Sequence, residues 1–165
     1  MQQSEMKVLF VSVENASRSL MAEACLRHLA PQRFKAYSCG IPGQIAQQPD
    51  TWAKLAISTA GFGAQDLRCK PWTDFTRSGA PRMAIVIALD AATSREHPSW
   101  PGQPETATWT MPSLNRSTLS GQALGIAAIH NLHAIRRRID LLISLSARAK
   151  SITDLRHDLR DLAHL

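Results

Sequence analysis

The sequence predicts an α/β protein: a three-layer sandwich with a four-stranded parallel sheet and helices on both faces. Four short runs, "KVLFVSV", "FKAYSCG", "MAIVIAL" and "TATWTM", have the length and the apolar or β-branched content of strands. Helical spacing follows the first, second and fourth of them. At 165 residues the chain suits one domain with a real core. Strands that alternate with helices connect through right-handed crossovers, which makes the sheet parallel and buries it between layers.

The first run reads as a strand buried on both faces. From Ser19 the pattern turns helical, with Met21, Ala24, Cys25 and Leu29 at helix spacing and Pro31 as the stop. The second strand ends at Gly40 and leads into the loop "IPGQIAQQP". Asp50 is placed to cap the helix "TWAKLAISTAG", for which the spacing predicts Trp52, Leu55, Ala56 and Thr59 on one face and Gly61 as the stop. After the third strand comes a polar, Pro-rich connection, then the short strand "TATWTM". Residues 121–149 form the long closing helix, with Leu124, Ala127, Ala128, Leu132, Ile135, Ile139, Leu142 and Ile143 as its apolar stripe. Residues 1–149 thus make the main domain. Residues 150–165 make a C-terminal amphipathic helix, whose Ile152, Leu155, Leu159 and Leu162 pack on that domain or on a partner, a second copy of the chain included.

Composition excludes several classes. No apolar run approaches the ~18 residues of a membrane span, and "MQQSEMK" lacks the basic and apolar regions of a signal peptide, so the reading is a soluble, cytoplasmic protein. Cys25, Cys39 and Cys69 are odd in number and widely spaced, which indicates neither a disulfide framework nor a metal site. No cofactor is implied. A net charge of +6 favours acidic ligands, but the basic residues are dispersed and aromatics make up only 5%, which argues against a nucleic-acid groove. Arg136, Arg137 and Arg138, the one tight basic cluster, read as a solvated helix face.

In a doubly wound sheet of flavodoxin-like order, ligands settle outside the carboxyl end of the first strand, at the topological switch point. Residues 12–19, "SVENASRS", must lie there. A tight strand-to-helix turn aims the backbone N–H groups of Val13, Glu14, Asn15, Ala16, Ser17 and Arg18 inward, and the following helix adds the positive end of its dipole. Arg18 offers a planar fork for two phosphate oxygens. Asn15 tolerates left-handed backbone angles, and Ser19 can donate its hydroxyl towards Ser12. The expected ligand is a phosphate-, sulfate- or arsenate-type anion or a phosphorylated molecule.

"KVLFVSVENASRSLMAEA" closely resembles the phosphate-binding signature of the low-molecular-weight protein tyrosine phosphatases and of the thioredoxin-coupled arsenate reductases that share their fold. The resemblance continues through "SCGIPG", "KPWTDF", "MAIVIALD" and "HPSWPGQPETATWTMPS", the last closer to the reductases. It implies a nucleophilic cysteine at the first loop position, where this chain has Ser12. A loop cysteine is ionised at neutral pH, whereas a serine hydroxyl needs an adjacent general base; His97 is the candidate that can approach in space. The resemblance also implies an Asp, usually before Pro, as the acid that protonates the leaving oxygen. Ser113 and Leu114 stand there instead, and no Asp or Glu occurs between Thr106 and Gly121. At the positions matching the reductases' resolving cysteines stand Leu89 and His97.

Departures at all these positions lead to the expectation of a degenerate, catalytically inactive member that retains the anion cradle. Two alternatives stand beside it: an active phosphatase in which Ser12 is an engineered replacement for the cysteine, and an interaction module that works through the C-terminal helix.

Overall fold

The computed structural model of the chain describes residues 5–114, 117–149 and 151–165. Four strands, β1 (Met6–Val11), β2 (Phe34–Cys39), β3 (Ile85–Ala88) and β4 (Glu105–Thr108), form one parallel sheet in the order β2-β1-β3-β4. Five helices accompany them: α1 (Arg18–Leu29), α2 (Thr51–Thr59), α3 (Ala91–Glu96), α4 (Gln122–Arg148) and α5 (Arg156–Asp161). The strand order reverses between β2 and β3, so the carboxyl end of central β1 is the switch point.

Side-chain alternation divides the sheet into two unequal halves. On one face Val8, Phe10, Ile85 and Ile87 meet α1, α2 and α4 in the main core. On the other face Leu9, Val11, Met83 and Val86 are covered by Phe75 from a 3-10 turn (Trp72–Phe75), by Tyr37 and Trp100, and by the short α3. Helices lie on both faces, but the second layer is thin.

Three local expectations shift. The buried side of α2 is Ala53, Ala56 and Ile57, while Leu55 is 56% exposed and Thr59 is exposed. Asp50 does cap this helix, its carboxylate accepting from the N–H groups of Trp52 and Ala53 (2.9 and 3.0 Å), and Trp52 lies against Gly125 of α4. With Trp52 spent on that contact at the edge, alanines carry the burial. β4 begins one residue earlier than read, although Trp109 and Met111 still donate to the carbonyls of Ala88 and Leu89. Arg138 does not belong to a solvated face: it is buried, and its guanidinium donates to the carbonyls of Ala134, Leu162 and Leu165 (3.1, 3.0 and 2.7 Å).

The C-terminal segment is a broken helix: a 3-10 turn (Thr153–Leu155), α5 and a second 3-10 turn (Leu162–His164). Leu155, Leu159 and Leu162 are buried in the main core, and the indole of Trp109 donates to the Leu159 carbonyl at 3.2 Å. Arg156 closes the outer side with two hydrogen bonds to Glu105, both 2.9 Å. No helix among the described residues is long and apolar enough to cross a membrane.

Candidate functional site

The loop between β1 and α1 is shaped by what its carbonyls do. Those of Val13, Glu14 and Ala16 accept from the N–H groups of Ile41, Ala46 and Asp50, at 2.9, 3.1 and 2.8 Å. In a trans peptide the C=O and the next N–H point in opposite directions, and the chain has no cis peptide among its described residues. The N–H groups of Glu14, Asn15 and Ser17 therefore face the loop interior. Gly40 permits this close approach, because a Cβ there would stand 2.7 Å from the Val13 oxygen and 2.8 Å from that of Ser12.

Buried side chains brace the turn. Asn15 sits at φ 52°, in the left-handed region, and is fully buried. Its amide nitrogen donates to Ser19 Oγ at 2.7 Å and its oxygen accepts from the Lys70 N–H at 2.9 Å. Ser19 Oγ lies 2.6 Å from Ser12 Oγ, so the hydroxyl at the first loop position is held by the start of the helix. The Ser17 hydroxyl is buried and has no hydrogen-bond partner among the described residues.

Arg18 is not a free fork. Its Nη1 donates to the Met111 carbonyl at 3.0 Å, and its Nη2 lies 3.2 Å from Asp90 Oδ2. The same Asp90 oxygen accepts from the Val13 N–H at 3.0 Å, while Oδ1 caps α3 by accepting from the N–H and hydroxyl of Thr93, each at 2.8 Å. Burial pulls the Arg18 guanidinium below its ordinary value, against the opposing pull of Asp90 and Glu14. Asp90 is the residue bonded to this loop that motif reading missed. The available signal was its position: an acid immediately after the third strand, at the same end of the sheet as residues 12–19.

A cavity of about 590 Å³ opens over the loop, lined among others by Ser12, Val13, Ser17, Arg18, Ser113 and Leu114. The structure thus brings Ser113 to the mouth of the loop, on a segment held by the Met111 N–H and by Asn131, which donates to the Pro112 carbonyl at 2.7 Å. Glu14 is exposed, lines the same cavity, and its charge acts on Arg18. His97 does not join Ser12; it ends α3 and lines a different cavity. Leu89 is buried in the main core. Burial drives the Cys25 thiol up to about 12 and raises those of Cys39 and Cys69. Among the described residues no cluster of His, Cys, Asp and Glu is placed to hold a metal ion.

This strand, loop and helix, with an arginine at the loop's end, stand at the switch point of a parallel α/β sheet. Residues 7–112 match the family model "Low molecular weight phosphotyrosine protein phosphatase", and the chain belongs to that family. No curated protein sequence matches it. Among solved structures, Vibrio vulnificus Wzb in complex with benzylphosphonate is similar at TM-score 0.68 and 16% identity, with 86% of this chain and 99% of Wzb covered. An arsenate reductase in the phosphate binding state gives 0.68 at 21% identity, covering 84% and 97%. Corynebacterium glutamicum thioredoxin-dependent arsenate reductase gives 0.64 at 21% identity; 90% of this chain is covered, but only 66% of that protein's length, just under two thirds. At these identities the likeness shows the fold.

Proposed function

We propose that the protein binds a phosphate-type oxyanion in the loop of residues 12–19 and does not turn it over. The observation that carries this reading is a loop whose Val13, Glu14 and Ala16 carbonyls are turned outward to Ile41, Ala46 and Asp50, over which Ser12 and Ser113 stand where a thiolate and an acid are needed. The orphaned Ser17 hydroxyl adds a donor at the same place. Three carboxylates lie near, Glu14 and Asp50 among the residues that line the cavity, and two of the three are engaged elsewhere. Asp50 caps α2, Asp90 caps α3 and holds Arg18, and Glu14 is exposed at the cavity it lines. Arsenate reduction by the family route is disfavoured because Leu89 and His97 replace its thiols and burial keeps Cys25 and Cys39 protonated. The burial of Leu155, Leu159 and Leu162 supports reading residues 150–165 as part of one domain with residues 1–149 rather than as a docking helix.

Calorimetric titration of inorganic phosphate tests the binding. Hydrogen bonds to charged groups contribute about 1.5 to 3 kcal/mol, so Arg18→Ala weakens binding at least about tenfold, and Arg18→Lys recovers only part of that, because one ammonium cannot keep the Met111 and Asp90 contacts and also reach the anion. Arg137→Ala removes the same charge from the exposed side of α4 and changes affinity only slightly. Equal weakening by Arg18→Ala and Arg137→Ala would reduce the effect to diffuse attraction and leave the loop without a binding role.

The same titration reads the part played by Asp90. Its carboxylate shares Val13 and Arg18 with any incoming anion, and like charges at this range repel. Asp90→Asn keeps a helix cap of comparable quality and removes the charge, so phosphate binds several-fold more tightly. Weaker binding in Asp90→Asn would show instead that Asp90 mainly positions Arg18.

A further inference from the structure

The thin second layer leaves a cavity of about 490 Å³ over β3 and β4, on the face of the sheet away from α1, α2 and α4. Its floor is made of small side chains, Val86, Ala88, Thr106 and Thr108, which the parallel register places side by side. One wall is the start of α3 with Thr93 and Ser94, the latter 2.8 Å from the Thr108 hydroxyl. Trp100 forms a second wall and the C-terminal segment a third, through Arg160, Ala163 and His164. This cavity shares no lining residue with the one over the anion loop.

We propose that this cavity is a second binding site, for a small molecule with a flat apolar body and a single acid group. Its volume falls within the range of small-ligand sites, and an apolar floor with a few convergent polar groups is their usual make-up. Trp100 offers a ring face or edge to a planar body. Arg160 is the charged side chain that lines the cavity, and among the described residues no carboxylate lines it. Glu105, whose charge reaches Arg160, is already gripped by Arg156 through two hydrogen bonds, which leaves the Arg160 guanidinium available to a ligand's acid group. The site exists because the C-terminal segment runs past β4 and supplies the cationic wall.

Naphthoate and its uncharged amide are suitable probes, titrated into the intact protein while the indole N–H signal of Trp100, assigned through Trp100→Phe, is followed by NMR. Naphthoate moves that signal, and Arg160→Ala weakens its binding about tenfold, the loss of one hydrogen bond to a charged group. The amide binds more weakly and ignores Arg160→Ala, Thr106→Trp fills the cavity and blocks both probes, and Arg18→Ala leaves naphthoate binding intact. The proposal is overturned if naphthoate does not perturb Trp100, if acid and amide bind equally, if Arg160→Ala has no effect, or if Arg18→Ala abolishes binding and phosphate displaces the probe, which would place it in the anion loop.

Discussion

Replacing Ser12 by cysteine produces a thiol that is ionised at neutral pH in a protein whose own thiols are not. The loop amides, the Ser19 hydroxyl at 2.6 Å and the start of α1 all favour negative charge at that atom, and such surroundings bring a cysteine into the ~3.5 to 7.5 range. Cys25, pushed up to about 12, is by contrast about 10⁻⁵ ionised at pH 7. Iodoacetamide at pH 6 to about 7 therefore labels the new thiol selectively, and mass mapping of the labelled peptide checks it. On the proposed reading, the parent is expected to show no phosphatase turnover on aryl phosphates. Ser12→Cys gains only feeble activity, because the leaving oxygen still departs unprotonated. Adding Ser113→Asp raises the rate by about 10² or more, the usual contribution of a positioned acid. A double variant no faster than Ser12→Cys would mean that Ser113 does not stand at the acid position, and turnover by the parent that survives Ser12→Ala would place the chemistry outside this loop.

What could be read from the chain followed how local each determinant is. β1 and β3 are runs buried on both faces, the Asp50 cap acts on amides two and three residues away, and the loop is a contiguous motif; all three were legible. Asp90 was not, since its oxygen reaches Val13 across 77 positions and only the sheet order brings them together. The face of α2 was misread because periodicity weights large side chains, whereas here Ala53 and Ala56 are buried and Leu55 is not. The thin second layer has no sequence signature: it follows from α3 being only six residues long.

Trp109→Ala destabilises the protein by about 3–5 kcal/mol, the range for deleting a buried aromatic. Trp109 is fully buried, packs against Phe10 with ring centroids 6.4 Å apart, and holds the C-terminal segment through Leu159. Trp109→Phe costs less, losing some volume and one hydrogen bond. Urea unfolding of the parent and both variants measures the difference as a shift in midpoint with little change in slope. A cost of about 1 kcal/mol or less for Trp109→Ala, well below the cavity range, would mean that the segment is not seated on the core.

The brace on Asn15 governs how the anion loop behaves in time. Its two ends come from Ser19, four residues on, and Lys70, fifty-five residues on, while the loop's outward carbonyls are held by residues 41–50, its Ser12 N–H by the Cys39 carbonyl and its Val13 N–H by Asp90. Local bonds from Ser19 to Ser12 and Asn15 are thus joined by long-range ones. Its complete set of bonds needs distant segments in place, so exchange of its amide hydrogens is expected to track global rather than local opening. A surface loop at the mouth of a cavity is commonly the softest part of a protein; here bonds from β2, Lys70 and Asp90 tie it to the sheet and favour a site shaped before any ligand arrives.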